Sequence, residues 1–438
     1  MTTSIESARP AAPGPQKEKR LNITTFSSLK YRDFRFLWGS TFFTAAGNWV
    51  QQITIGWLVY EMTGSALLTG MVSGLRALPF LFVGPLAGVL ADRLNRKYFL
   101  IVTEVFLSAL GLGFAILLTT DYLQVWHIMA FSMLSGLGWS ITNPLRNVMV
   151  PNVVPRHALM NAVALNSAAF NLTRIAGPAI GGILIAAFGP ATNFFIQAIS
   201  YLMVSVLVWF IRSPMKAQPG ASTNGSHAGG HGGSQGSRMF KDLAEGVRYV
   251  AHEPTTLALI LVGLIPSIFM MPFTQSMMPV FTKDVLHVDS KGLGLVMAAA
   301  GAGAFIGTMA VASLSQIKRK GLLLIAAASI AAITLMVYSQ VTWLVIAVPI
   351  IAIQGGFQMV YNTTNNTILQ IITPDEYRGR VMSIYMLDHG FTPAGAFFAG
   401  ALAQAFGAPT AFLFGGVVTL VLVLLLATRA KKLKSFRE

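Results

Sequence analysis

Long apolar runs separated by short polar turns dominate this chain. Twelve stretches near or above the roughly 20 residues needed to cross a bilayer recur at 36–60, 67–91, 98–119, 124–149, 160–187, 191–211, 256–282, 291–314, 321–339, 342–369, 379–406 and 410–428. The pattern predicts an all-α integral membrane fold with twelve transmembrane helices. One long break, 212–255, divides them six and six. Within it, Ala217 to Ser237 is rich in Gly, Ser and His and has no apolar period, so it reads as a flexible linker. His227 and His231 fit that solvated linker better than a metal site. Phe240, Leu243, Val247 and Val250 then recur at helical spacing, with Lys241, Asp242, Glu245 and Arg248 between them. That spacing predicts an amphipathic helix along the membrane face. The domain plan is a 1–35 tail, a 36–211 six-helix bundle, a 212–255 linker, a 256–428 six-helix bundle and a 429–438 basic tail.

The halves echo each other. Gly84…Arg96-Lys97 aligns with Gly307…Arg319-Lys320, with Ser315 in place of an acid. Asn143-Pro…Val154-Pro155…Ala187-Phe188-Gly189 aligns with Asn362-Thr…Thr373-Pro374…Ala405-Phe406-Gly407. Two such six-helix repeats predict a pathway at their interface, near the bilayer midplane.

Charge fixes the expected orientation. Basic residues sit in the N-terminal stretch, at 93–97, at Arg146 and Arg156, across 212–248, at 318–320, at Arg378 and Arg380, and at 429–437. The alternate turns hold only Lys283 and Lys291, beside Asp284 and Asp289. Both termini are therefore expected in the cytosol. Composition narrows the class further. Only 11% of the 438 residues are charged and 54% are apolar, against about 25% charged in soluble proteins. The net charge of +15 is scattered through short loops, which excludes a nucleic-acid surface. With no cysteine, disulfide and thiolate chemistry are excluded. The first thirty-odd residues are polar and basic and carry no signal-peptide core. No cofactor and no metal are expected.

Ionisable groups inside spans are expensive and mark function. Four stand out: Arg76, Glu104, Arg174 and Asp388. Asp388 lies about nine residues past the cytoplasmic Gly379 and is the deepest carboxylate. A carboxyl in apolar surroundings can exchange a proton near neutral pH, so Asp388 is the first candidate proton carrier, with a structural ion pair as the alternative. Glu104, nearer the cytoplasmic end, is the second, with a snorkelling or loop-pairing role as the alternative. Arg76 fits substrate contact or structural pairing. Arg174 fits a structural or gating role beside Gly177-Pro178. Asn48, Gln51 and Gln52 are expected to share one helix face toward a water-filled cavity. Asn166, Asn171, Gln275, Asn362, Asn365 and Asn366 fit the same cavity or interhelical hydrogen bonds. Trp49, Trp57, Phe273 and Met270 or Met271 fit its apolar wall or plain packing.

The stretch Gly84-Pro-Leu-Ala-Gly88-Val-Leu-Ala-Asp92-Arg93-Leu-Asn95-Arg96-Lys97 reverses the chain between two apolar runs. Gly88 admits a close neighbour, Asp92 suits a helix N-terminus, and Asn95 tolerates a left-handed turn. The stretch resembles the loop between helices 2 and 3 of the major facilitator superfamily, with Asn95 where that family prefers Gly. Phe34-Arg35-Phe-Leu-Trp38, Gly47-Asn48-Trp49-Val-Gln51-Gln52, Leu75-Arg76-Ala-Leu-Pro79 and Arg174-Ile-Ala-Gly177-Pro178-Ala-Ile-Gly181-Gly182 resemble the subfamily of the enterobactin exporter and Tap-type multidrug efflux proteins. The resemblance implies a monomeric, proton-driven exporter of a siderophore-like or drug-like molecule in a bacterial inner membrane, working by alternating access. It also implies that Gly177, Pro178, Gly181 and Gly182 form a rocking helix 5. Two departures matter. Relatives often have Asp where Asn48 stands. Many antiporters of the superfamily also carry an Arg within helix 4, whereas Ile128 to Pro144 has none. Arg146 is therefore expected near the cytoplasmic end, in a gate with Gly88, Asp92, Arg93, Arg96, Lys97, Asp375 and Glu376. Lipid transport and solute import are same-fold rivals; a non-transporting sensor is a remote alternative, against which the two-fold repeat argues. An enzyme is excluded for want of a paired catalytic motif within a span, and ATP drive for want of a phosphate loop.

Overall fold

The computed structural model describes residues 26–214, 245–313, 319–386 and 390–429; the side chains of 84–93, 312, 386 and 429 lie outside it. Asp388, the glycine-rich linker, Phe240, Leu243 and the side chains of Gly88, Asp92 and Arg93 therefore fall outside the described residues.

Fifteen α-helices lie wholly among the described residues, and no strand is found there. The first half comprises α1 (Arg32–Thr63), α2 (Ala66–Arg93), α3 (Arg96–Thr119), α4 (Val125–Val153), α5 (Leu159–Phe188) and α6 (Pro190–Trp209). The second comprises α7 (Pro254–Phe269), α8 (Met271–Gln275), α9 (Met278–Asp284), α10 (Ser290–Ser313), α11 (Lys320–Tyr338), α12 (Leu344–Ile372), α13 (Asp375–Met386), α14 (Thr392–Phe406) and α15 (Ala408–Arg429). The seventh apolar run is thus divided into three helices and the eleventh into two. Pro272 and Pro279 each stand in the first turn of a new piece, where a missing N–H does no harm.

Nine stretches among the described residues are long and apolar enough to cross a membrane. α1, α4 and the divided α13–α14 run fall outside that set. The reason is chemical for α1 and α4: both bury a row of hydroxyl, amide and charged side chains, which lowers their hydropathy without shortening them. Large apolar side chains such as Met160 and Val345 lie 86% and 83% exposed, as a lipid-facing surface requires.

Packing repeats between the halves. α2 lies on α4 and α3 on α6, as α10 lies on α12 and α11 on α15. Gly136 meets the carbonyl of Arg76 in the first half, and Gly303 meets that of Ala352 in the second, each closer than any Cβ permits. Gly189 and Gly407 cap α5 and α14 at φ 80° and 82°, a region that favours glycine. Both follow the Ala-Phe pairs that the sequence aligns.

One correction concerns the turns. Asn95 is not left-handed; at φ −70° and ψ 109° it is the N-cap of α3, its Oδ1 accepting from Lys97 N at 3.1 Å. The amphipathic stretch is helical at 245–252 and docks on α13. Tyr249 stacks on Tyr377 at 4.4 Å and Glu245 pairs with Arg380 at 3.1 Å, with Val250 buried and Val247 exposed.

The halves meet along two seams, α2 with α14 and α5 with α10. Small residues make both possible. Gly70 and Gly74 face Ala396 and Pro393, while Gly182 faces Ser290 and a Cβ at Gly294 would stand 2.6 Å from the Pro178 carbonyl. Most hydrogen bonds that join the halves among the described residues lie toward one end, the end of the α1–α2 turn; the contact of Gln52 with Gln275 lies deeper. Tyr60 donates to Asp284, Ser65 Oγ donates to Gln404 Oε1 at 3.0 Å, and Ser290 Oγ donates to Gly182 O at 3.2 Å. Lys283 lies over the rings of Trp57 and Tyr60 at 5.7 and 5.8 Å. Tyr60→Phe removes the phenol and leaves Asp284 facing a ring. We expect a modest loss of thermal stability, of the order of 1 kcal/mol, read by intrinsic fluorescence. An unchanged midpoint would remove the latch.

Candidate functional site

One face of α1 organises the interior of the first half. Ser40, Thr44, Asn48 and Gln51 recur at spacings of four, four and three, and all are buried. Each meets a side chain from another helix. Arg146 of α4 donates to Ser40 Oγ at 2.7 Å and Thr44 Oγ1 at 2.5 Å. Arg76 of α2 donates to Asn48 Oδ1. Gln197 of α6 donates to Gln51 Oε1 at 2.8 Å. Buried polar groups need such partners, and here they tie α1 to three neighbours.

Glu104 of α3 completes the cluster. Its Oε1 accepts from Arg146 Nη2 at 2.6 Å and from Thr44 Oγ1 at 3.4 Å. The pair is sealed, with side chains 0% and 6% exposed. It is also incompletely bonded: Glu104 Oε2 and Arg146 Nε are buried without a partner. A small cleft beside it, about 20 Å³, is lined by Thr41, Thr44, Trp139, Thr142, Asn143, Arg146 and Phe170.

This corrects two expectations. Arg146 pairs with Glu104 rather than with an acid of the loops, and Glu104 is buried rather than snorkelling. Glu104 lies eight residues beyond Arg96 at the start of α3, and Arg146 seven before Val153 at the end of α4. Antiparallel helices place both about 11–12 Å from the same end. Of the other gate candidates, Lys97 Nζ donates to the carbonyls of Trp209 and Ile211 at 2.7 and 2.8 Å, and Asp375 pairs with Arg378 at 2.5 Å. Glu376 is exposed and Arg96 is half-buried.

The expected cavity residues separate. Gln52 turns away from Asn48 and Gln51, toward the second half, and donates to Gln275 Oε1 at 3.5 Å. Asn171 donates to Ser167 O at 2.9 Å in its own helix. Asn166 Oδ1 is buried without a partner. On α12, Asn362 is exposed, Asn365 donates to Leu259 O at 3.3 Å, and Asn366 accepts from Gln370 at 2.5 Å. Trp57, Met270 and Phe273 are buried in the apolar core shared by the halves.

α5 carries the closest approach to α1. A Cβ at Gly177 would stand 2.6 Å from Trp49 Cβ, and one at Gly181 2.9 Å from Ile53. Pro178 sits inside an unbroken helix, so the Arg174 carbonyl loses its usual donor. That carbonyl faces Gly301 of α10, at 2.9 Å from a would-be Cβ. Among the described residues no metal-holding group of His, Asp or Glu occurs.

Comparisons with known proteins fit this architecture. Residues 23–438 match the family described as "Transmembrane secretion effector". The "Staphyloferrin A transporter" of Staphylococcus aureus is 24% identical over 406 residues, covering 91% of this chain and 97% of that relative. The "Multidrug efflux pump Tap" of Mycolicibacterium fortuitum is 26% identical, covering 84% and 88%. The "Macrolide efflux protein A" of Streptococcus pyogenes is 23% identical, covering 80% and 84%. Among solved structures, a point mutant of the nucleoside transporter NupG superposes with a TM-score of 0.75 at 12% identity, over 91% of this chain and 100% of that one. A bacterial homologue of the human lysosomal transporter Spinster gives 0.68 at 16%, over 93% and 98%.

Proposed function

Because the chain belongs to the transmembrane secretion effector family of the major facilitator superfamily, we propose that it exports a siderophore-like or drug-like amphipathic small molecule in exchange for protons. The working unit is a monomer of twelve spans in two pseudo-symmetric six-helix bundles, 36–211 and 256–428, with both termini in the cytosol. The seams α2–α14 and α5–α10 are its rocking surfaces. In the described state they are closed at the end of the α1–α2 turn, which this orientation places outside the cell.

The buried Glu104–Arg146 pair carries the proton assignment. Two charges in a low-dielectric interior hold each other only while both are charged. A proton arriving at Glu104 Oε2, the oxygen without a partner, removes the carboxylate charge from Arg146. The guanidinium then keeps only the hydroxyls of Ser40 and Thr44. It turns toward the cleft at Thr142 and Asn143, and α4 and α1 lose their common anchor. Release of the proton restores the pair. Binding and protonation thus bias two states of one bundle, which is what antiport requires. Asp388 remains the second candidate, on its sequence position alone.

Proteoliposomes test this. Glu104→Gln keeps the shape and a hydrogen-bond acceptor but cannot cycle a proton. We expect substrate-dependent proton movement to fall by at least about tenfold, while downhill substrate exchange persists. Asp388→Asn, measured in parallel, ranks the two carboxyls. Uphill transport at the parental rate in Glu104→Gln would remove Glu104 from the coupling.

A further inference from the structure

One end of the first half, where α1 and α3 start and α6 finishes, carries a feature that export does not use. Ile101, Ser205, Val206, Trp209 and Phe210 line a groove of about 240 Å³ between α3 and α6. Ser205 is its one polar lining residue, and that hydroxyl donates to Tyr201 O at 3.2 Å, so the walls are hydrocarbon. Val206, Trp209 and Phe210 are exposed, as on a lipid-facing surface. Ile101 lies five residues inside the start of α3, so the groove runs about 7–8 Å inward from the helix ends.

Three cations stand round its mouth. Lys97 Nζ lies over the Trp209 ring at 5.6 Å and commits two of its three N–H bonds to the carbonyls of Trp209 and Ile211. Arg32 lies over Phe36 at 5.4 Å, and Phe36 stacks on Phe210 at 5.8 Å. Arg212 follows two residues after Phe210. Its backbone N–H and that of Ser213 donate to Asp33 Oδ2 at 3.2 and 2.7 Å, which sets Arg212 beside the start of α1. The Ser213 hydroxyl donates to the same oxygen, so three donors already occupy this neighbouring carboxylate. Among the described residues Lys97, Arg32 and Arg212 are in no ion pair. Tyr98 meets Trp209 edge-on at 6.3 Å, and together they give this end the aromatic belt of a membrane interface.

An apolar slot beneath a cluster of cations matches a phospholipid whose head carries net negative charge. Hydrocarbon walls give a soluble anion nothing to fill, and an excess of cations gives a zwitterionic head no net attraction. We propose that this groove binds an anionic phospholipid, with one acyl chain along Val206 and Ile101 and the phosphate held among Lys97, Arg32 and Arg212. So placed, the lipid joins the starts of α1 and α3 to the end of α6. The assignment stands on the membrane fold alone and not on the export reading.

The test uses the full chain in phosphatidylcholine vesicles that contain a fixed fraction of brominated phosphatidylglycerol or of brominated phosphatidylcholine. Bromine quenches tryptophan on contact, and the Trp209 signal is the difference between the parent and Trp209→Phe. Trp343 is the control, read in the same way through Trp343→Phe. It stands at the start of α12, is 71% exposed against 59% for Trp209, and has no basic residue within twenty positions. Phosphatidylglycerol should be preferred at Trp209 by about tenfold or more, at about fivefold per cation near the surface, with no such preference at Trp343. Arg32→Gln combined with Arg212→Gln should lower the Trp209 preference by about fivefold or more. Both side chains are exposed, so this pair tests the groove without uncapping α6, which Lys97→Gln would do. Equal quenching by the two lipids at Trp209, the same preference at Trp343, or a preference unchanged in the double variant overturns the assignment. Quenching by neither lipid also overturns it, and gives the groove to a protein surface such as a second copy of this chain.

Discussion

Arg146→Met is expected to lower the stability of the purified protein by about 3–5 kcal/mol, the usual consequence of leaving one member of a buried ion pair behind. Glu104 has no exposure with which to regain water. Its remaining neighbour, the Thr44 hydroxyl, stands at 3.4 Å and cannot replace a guanidinium. Ser40 and Thr44 lose their donors as well, so α1 detaches from α4. The companion change Glu104→Gln should cost less, because Arg146 retains two hydroxyl acceptors. The double variant should recover much of the loss, since no isolated charge remains. Intrinsic fluorescence serves as the readout, and the seven tryptophans make it sensitive. Additive effects of the two single changes would mean that the side chains do not act as a pair.

The second large effect is expected at Gly182. A Cβ there would run into the carbonyl of Ser290 and lie 3.0 Å from Gly294 Cα. Both obstacles are backbone, so neither can rotate aside. Gly182→Val should therefore part α5 from α10 at the closed end. The chain has no cysteine, which permits a clean probe. Ser290, buried at this seam, is replaced by cysteine and challenged with a membrane-impermeant maleimide. Labelling should be slow in the Ser290→Cys parent and at least about tenfold faster with Gly182→Val added, as expected when closely packed backbones are forced apart. Gly113→Val is the control, because nothing lies within 4 Å of a Cβ at that position. Equal labelling in all three would mean that the seam is not what closes this end.

The sequence made the helices legible through the lengths of the apolar runs, and the repeat through Gly189 and Gly407. Three features were less visible. The break in the seventh run was written in Pro266, Pro272 and Pro279, but a continuous apolar stretch conceals the loss of only a few backbone hydrogen bonds. The polar stripe of α1 was expected on one face. At 100° per residue, Gln51 and Gln52 straddle its edge, so one turns inward and the other toward the second half. The Glu104–Arg146 pair was hidden by reading each residue against its nearest loop. Counting both from the ends of α3 and α4 puts them at one depth, and a carboxylate and a guanidinium at one depth on neighbouring helices will find each other. Arg174 stood out in the sequence as an ionisable group in a span, and the structure leaves it half-buried.

The two halves are not mechanical equals. α1 runs as a single 32-residue rod, whereas its counterpart is cut at Met270 and Met277 into three segments. A stiff beam transmits torque along its whole length, while a jointed one absorbs it at its knuckles. In the proposed export cycle, strain applied at the Arg146 level of the first half would pass along unbroken α1 to the Tyr60 latch. In that cycle the same strain in the second half would be taken up at the two methionine joints, so the first half would drive and the second comply.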